Sequence, residues 1–106
     1  MAYAEWKAKR ADENAVMEAY FRKAPFKGCF TIFAGLDEVL LFLKNYRFSA
    51  QHLDYIKSQL PYLDPQFLDW LSNIPLESVK IEGVQDGTVV YQGEPLLKLT
   101  GPFAVL

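Results

Sequence analysis

Apolar positions in the middle of the chain follow a helical spacing. They recur at i, i+3, i+4 and i+7, the stripe of an amphipathic helix: Leu36, Val39, Leu40 and Leu43. Two more helices are predicted after it. Ser49 is a suitable N-cap, and Asp64-Pro65 places a cap directly before a proline at the first helical position. The pattern therefore predicts a cluster of three short helices within residues 36–74.

Alternating apolar and polar positions flank this helical segment on both sides. Residues 15–34 contain two predicted strands, Ala15–Arg22 and Cys29–Phe33, joined by a loop. Residues 78–106 contain short strands separated by turn sequences, among them Asp86-Gly87. Gly101-Pro102 is expected to interrupt the last strand. The whole chain, residues 1–106, is predicted to be a single α+β domain.

The two ends of the chain differ from those of a typical complete domain. Residues 1–11 favour a helix, yet no Ser, Thr, Asp or Asn stands at its start as a cap. The last four residues, Phe103 to Leu106, are all apolar, whereas chain termini are usually polar. We expect a helix remnant at residues 1–11 and a domain truncated at both ends.

Composition narrows the class of protein. The chain has 106 residues, 51% of them hydrophobic, with a net charge of −2. This length corresponds to one domain. The net charge predicts no basic surface of the kind that binds nucleic acid or an anionic membrane. No apolar run is long enough to span a membrane. A single cysteine and no signal peptide favour the cytosol.

Several kinds of catalytic site are excluded by residue counts. One histidine and one cysteine cannot build a zinc site of the Cys/His type, and the glycines form no phosphate-cradling loop. Cys29 is expected to be a small buried hydrophobe. The aromatic residues are expected to lie mostly in the core: Tyr20, Phe21, Phe26, Phe30, Phe33, Tyr46 and Phe48.

A basic cluster is the main candidate for chemistry. Arg22, Lys23 and Lys27 surround Pro25 and Gly28 in the loop between the first two strands. Cations at a strand end and loop can hold phosphate or pyrophosphate oxygens. A solvent-exposed loop with scattered charges would have the same local sequence. The residues alone therefore do not decide between a phosphate-binding site and an ordinary solvated loop.

The C-terminal third also has the strand-and-turn pattern of a β-hammerhead or barrel-sandwich unit. It resembles the lipoyl and biotinyl carrier domains, which carry a modifiable lysine at an exposed hairpin tip. Neither the turn at Gln85–Gly87 nor the turn at Gln92–Pro95 contains a lysine. A carrier domain would need a lysine modified with lipoate or biotin elsewhere, which mass spectrometry would detect.

Five separated blocks resemble the N-terminal part of the nicotinate phosphoribosyltransferases, which are type II phosphoribosyltransferases. In order along the chain they are Met1–Lys7, Tyr20–Gly28, Phe30–Leu36, Phe42–Phe48 and Gly93–Leu97 with Thr100–Pro102. The resemblance implies an N-terminal α/β-hammerhead domain with a barrel-sandwich-like arrangement. In that family the domain packs on a C-terminal α/β barrel, which is absent from these residues.

The resemblance also implies a reaction. Nicotinate and phosphoribosyl pyrophosphate give nicotinate mononucleotide and pyrophosphate in NAD salvage, with ATP hydrolysis, so a ligase as well as a transferase is implied. Mg²⁺ accompanies the pyrophosphate, and the enzyme is expected to be a cytosolic homodimer. No nucleic-acid or membrane partner is implied.

The family pattern assigns roles to a few positions of this sequence. Arg22 and Lys23 are candidate contacts to phosphate groups of the substrate held by the neighbouring subunit. Lys27 is the weaker candidate, because the family often has glycine there. An upstream segment with an active-site tyrosine is absent, so residues 1–106 alone are expected to be inactive. The alternative is a non-catalytic interaction module that pairs with full-length subunits.

Overall fold

The computed structural model describes all of residues 1–106, with four α-helices and five β-strands. The helices are α1 (Ala2–Lys7), α2 (Leu36–Asn45), α3 (Ala50–Gln59) and α4 (Pro65–Ser72). The strands are β1 (Asn14–Ala19), β2 (Thr31–Ile32), β3 (Lys80–Gly83), β4 (Val89–Val90) and β5 (Leu97–Pro102). The predicted α+β class is confirmed, with short helices and no α/β barrel.

A three-stranded antiparallel sheet joins the two ends of the chain in the order β1-β5-β3. In its register Thr100 pairs with both Val16 of β1 and Lys80 of β3. β5 runs through Gly101 to Pro102, so the expected interruption there is wrong. Proline is tolerated because it is the last residue of the strand, where its missing N–H breaks no inner hydrogen bond.

A short two-stranded ribbon, β2 and β4, forms a second sheet. It is anchored to α2 through Asp86, which precedes β4. The carboxylate oxygens of Asp86 accept the backbone N–H groups of Gly35 at 3.2 Å and Leu36 at 3.1 Å. Gly87 has φ +88°, so the predicted Asp-Gly turn does use the left-handed backbone that glycine favours. The start of α2 is thus capped by a residue 50 positions away.

The next two helices begin where the sequence signals place them. The hydroxyl of Ser49 accepts the His52 N–H at 3.3 Å, and Nδ1 of His52 accepts the Ser49 N–H at 3.2 Å. This is a reciprocal capping box at the start of α3. Asp64 likewise accepts the Gln66 N–H at 2.9 Å at the start of α4. The chain's single histidine therefore has a local structural role.

An aromatic cluster holds α1 against α4. The Phe67 side chain is only 5% exposed. Its ring lies 5.0 Å from Tyr3, 5.5 Å from Trp6 and 5.7 Å from Trp70, measured between ring centroids. Both tryptophans of the chain therefore contact the same buried phenylalanine. The cluster thus surrounds one of the few buried side chains of the molecule.

Elsewhere the molecule is open. Its Cα radius of gyration is 16.9 Å, against about 13 Å for a compact domain of this length. Only six residues are buried. The expectation of an aromatic core is therefore wrong for Tyr20, Phe26 and Phe30, which are more than half exposed. Cys29 is also exposed, so the expectation of a buried cysteine is wrong. None of the helices is long and apolar enough to cross a membrane.

Candidate functional site

The basic loop, residues 20–30, connects β1 to β2 at the open end of the ribbon. Its first part is fixed by a hydrogen bond from the Gly93 N–H to the Phe21 carbonyl oxygen at 2.9 Å. This bond holds the backbone at Arg22 beside the turn that follows β4. The sheet, the ribbon and the loop thus place Arg22 and Lys23 at one defined corner of the molecule.

The three cations predicted from the sequence are all exposed in this loop: Arg22, Lys23 and Lys27. None of them takes part in an ion pair, in contrast to Arg10, which pairs with Glu5 and Glu13, and Lys80, which pairs with Glu82. Unpaired guanidinium and ammonium groups are free to form charge-assisted hydrogen bonds to phosphate oxygens. The loop therefore offers positive charge that the chain itself does not neutralise.

The backbone of the loop is strained at two consecutive residues. Phe26 has φ +55° and Lys27 φ +58°, inside a turn that the Gly28 N–H closes on the Pro25 carbonyl at 3.0 Å. Each non-glycine residue in this region costs about 1–2 kcal/mol. The Phe26 ring is fully exposed. Sequence reasoning placed it in the core, although the flanking Pro25 and Gly28 signal an exposed turn.

We expect the Lys27→Gly variant to raise the free energy of unfolding by about 0.5–1 kcal/mol. Glycine has no Cβ to clash at φ +58°, and this gain exceeds the extra chain entropy that it adds to the unfolded state. Urea denaturation measures the effect. Lys27→Ala is the matched control, since it removes the same charge and keeps the strain. Equal midpoints for the two variants would contradict a strained backbone here.

Ion pairs shift the pKa of two side chains of the chain. A hydrogen bond and ion pair with Glu13 raise the pKa of Arg10, and a hydrogen bond and ion pair with Lys80 lower the pKa of Glu82. Both groups lie outside the loop. No three His, Cys, Asp or Glu side chains come together in a group that could hold a metal ion. The cations of the loop can bind and orient an anion.

Comparison with known proteins identifies the family. The protein-family model described as the nicotinate phosphoribosyltransferase (NAPRTase) N-terminal domain matches the sequence over residues 1–106. The chain belongs to the nicotinate phosphoribosyltransferase family. It is 42% identical over 106 residues to the nicotinate phosphoribosyltransferase of Caenorhabditis elegans, covering 99% of this chain and 19% of that protein. It is 40% identical to nicotinate phosphoribosyltransferase 1 of Arabidopsis thaliana, covering all of this chain and 19% of the relative.

A solved structure of the family has the same fold. The crystal structure of human nicotinic acid phosphoribosyltransferase matches with a TM-score of 0.90 at 33% sequence identity. That match covers 99% of this chain and 21% of the human chain. The chain thus spans about a fifth of the length of the relatives it matches. The family assignment replaces the carrier-domain alternative, for which neither turn supplies a lysine.

Proposed function

We propose that this chain acts as the N-terminal domain of an enzyme that converts nicotinate and phosphoribosyl pyrophosphate into nicotinate mononucleotide and pyrophosphate, in NAD salvage. The observation that carries the proposal is the family match over the whole of residues 1–106. The relatives are named for this activity. The chain's own proposed contribution is binding and charge, because the three exposed cations of the basic loop form no ion pair within the chain.

The chemistry explains why cations are needed. The bond from C1 of the ribose to pyrophosphate breaks as the ring nitrogen of nicotinate attacks, so negative charge builds on the leaving group. Positioned cations stabilise that charge where it develops. Arg22 and Lys23 are the proposed contacts, and they reach the substrate held by a neighbouring subunit of a homodimer. Lys27 is a weaker candidate, because its left-handed backbone suits the glycine that the family often carries there.

Mg²⁺ and ATP are part of the proposal for the complete enzyme only. The chain brings together no group of three His, Cys, Asp or Glu side chains. Neither Mg²⁺ nor ATP is proposed to bind to residues 1–106 by themselves. These residues alone are expected to show no turnover.

The proposed enzyme is cytosolic and has no nucleic-acid or membrane partner. A cytosolic location is supported by the presence of a single cysteine in these residues, which allows no internal disulfide. The net charge of −2 supports neither a nucleic-acid nor an anionic membrane partner.

A chimaera tests the catalytic role. In the C. elegans relative, the matched region is replaced by residues 1–106 of this chain, and formation of nicotinate mononucleotide is measured. We expect activity from the chimaera, and none from residues 1–106 or from the relative without its matched region. An inactive chimaera that is folded and dimeric would contradict the proposal.

Within the chimaera, we expect Arg22→Ala to raise KM for phosphoribosyl pyrophosphate about tenfold, the cost of one charge-assisted hydrogen bond. KM for nicotinate should change little, because the cation contacts phosphate. Lys9→Ala is the matched control, since Lys9 is an exposed cation outside the loop. The same KM in both variants would remove Arg22 from the substrate site.

The open surface favours a second candidate, a non-catalytic module that pairs with full-length subunits. The observation behind it is the low burial, with six buried residues in the chain. Adding residues 1–106 to the active relative should then lower its activity in proportion to the amount added. Unchanged activity at a large molar excess would exclude this candidate.

A further inference from the structure

A tight turn, residues 91–94, follows β4 and lies beside the start of the basic loop. The Glu94 N–H donates to the Tyr91 carbonyl oxygen at 3.2 Å, which closes the turn. Gly93, at the third position, has φ +82°, the left-handed value that a type II turn requires there. The Glu94 carboxylate adds a second hydrogen bond, because its Oε2 accepts the Tyr91 N–H at 2.8 Å. Glu94 therefore engages both backbone groups of Tyr91.

The turn holds the backbone that leads into Arg22. The Gly93 N–H donates to the carbonyl oxygen of Phe21, which directly precedes Arg22, at 2.9 Å. The Leu96 N–H donates to the carbonyl oxygen of Ala19, the last residue of β1, at 2.8 Å. The segment before Arg22 is thus fixed at two carbonyl groups, both from the side of the turn.

The carboxylate of Glu94 is engaged within the turn and not with the cations of the loop. A hydrogen bond to a charged acceptor is stronger than one between neutral groups, and 2.8 Å is at the short end of the usual range for N–H···O. Glu94 forms no ion pair with Arg22, since the ion pairs of the chain involve other residues. The guanidinium therefore stays available for an anion while the carboxylate closes the turn.

We propose that Glu94 is a positioning residue for Arg22. Its carboxylate fixes the turn, and the turn presents the Gly93 N–H to the Phe21 carbonyl oxygen. That hydrogen bond sets the direction from which the arginine side chain extends. Binding costs less when fewer conformations have to be given up, so a fixed backbone strengthens the contact to phosphate. The proposal rests on the proposed function, because it takes Arg22 as a contact to phosphoribosyl pyrophosphate.

Steady-state kinetics of the chimaera test the proposal. We expect Glu94→Ala to raise KM for phosphoribosyl pyrophosphate about three- to fivefold, less than the effect of Arg22→Ala itself. KM for nicotinate should stay nearly unchanged. Glu94→Gln is expected to restore the original KM, because its side-chain oxygen can still accept the Tyr91 N–H. Glu77→Ala removes an exposed glutamate outside the turn and should change neither constant.

A double variant separates positioning from a general effect on the fold. If Glu94 acts through Arg22, then Glu94→Ala should raise KM no further once Arg22 is replaced by alanine. Independent effects would multiply instead. Hydrogen exchange of residues 1–106 gives a readout that needs no catalysis. The Gly93 amide should exchange faster in Glu94→Ala, relative to the amides of β3, and at its original rate in Glu94→Gln.

Four results from an active chimaera would overturn this proposal and leave the proposed function standing. The first is an unchanged KM for phosphoribosyl pyrophosphate in Glu94→Ala. The second is the same change in Glu94→Gln as in Glu94→Ala, which would assign the effect to the charge. The third is a multiplied effect in the double variant, and the fourth is unaltered exchange of the Gly93 amide. An inactive chimaera would contradict the proposed function itself, and this proposal with it.

Discussion

Replacing Phe67 by alanine is expected to lower the free energy of unfolding by about 3–5 kcal/mol. Phe67 is among the few buried side chains, and its ring contacts Tyr3, Trp6 and Trp70. Its removal takes away apolar burial and leaves a cavity between α1 and α4, which have few other buried contacts. The loss approaches the total stability of a small domain, so the variant is expected to be largely unfolded at 37 °C.

Tryptophan fluorescence during urea denaturation measures this loss. Because both tryptophans flank Phe67, the emission reports directly on the cluster. Phe30→Ala is the control, since Phe30 is 53% exposed beside the ribbon and its removal should cost less than about 1 kcal/mol. Similar midpoints for the two variants would show that the cluster does not hold the helices together.

We expect Asp86→Ala to lower the free energy of unfolding by about 2–3 kcal/mol, the second-largest effect of a single substitution. The variant loses both hydrogen bonds from the N–H groups of Gly35, which directly precedes α2, and of Leu36, its first residue. It also loses a negative charge at the positive end of the helix dipole. Because Asp86 lies next to the ribbon, the same change frees the ribbon from the helix.

Hydrogen exchange gives the local readout for Asp86. The amides of Gly35 and Leu36 should exchange much faster in Asp86→Ala, while those of β5 respond only through the global stability. Asp86→Asn is the graded control, because its one side-chain oxygen can keep one of the two bonds without the charge. A loss in Asp86→Asn equal to that in Asp86→Ala would mean that the charge, and not the hydrogen bonding, stabilises the helix.

Local signals predicted the helices well. Ser49 and Asp64 cap α3 and α4 as their sequences indicate. The apolar stripe of α2 and the Asp-Gly turn are also where the sequence places them. Such signals act over a few residues and depend little on the rest of the fold. The capping of α2 by Asp86 could not be predicted in this way, because the two partners are 50 positions apart in the sequence.

Burial was the feature that the sequence predicted least well. The side chains of Phe26, Phe30 and Cys29 are apolar, yet they are exposed in the structure. Whether an apolar side chain is buried depends on which surface covers it, and residue type alone does not specify that surface. The sequence also predicted that β5 ends before Gly101. In the structure the strand continues, because pairing with β1 keeps it extended there.

The candidate site was predicted only in part. The positions of Arg22, Lys23 and Lys27 in one exposed loop follow from the sequence, and the family resemblance supplied their proposed role. Three-dimensional information was needed to show that none of them is paired within the chain. The structure was also needed to find the left-handed backbone at Phe26 and Lys27. Glycine is the residue type that favours this conformation, and neither position is a glycine.

The pairing of β1 with β5 has a consequence for biosynthesis. Val16 lies near the first of the 106 residues, and its partner Thr100 lies near the last of them. β5 is also the strand that pairs with β3, so the three-stranded sheet cannot assemble from a stretch of chain that ends before β5. During translation, β1 must wait unpaired on the ribosome until almost all of these residues have emerged. Contacts so distant in sequence close slowly, and an unpaired strand is prone to aggregation meanwhile. Chaperone binding to the nascent chain is expected to matter most in that interval.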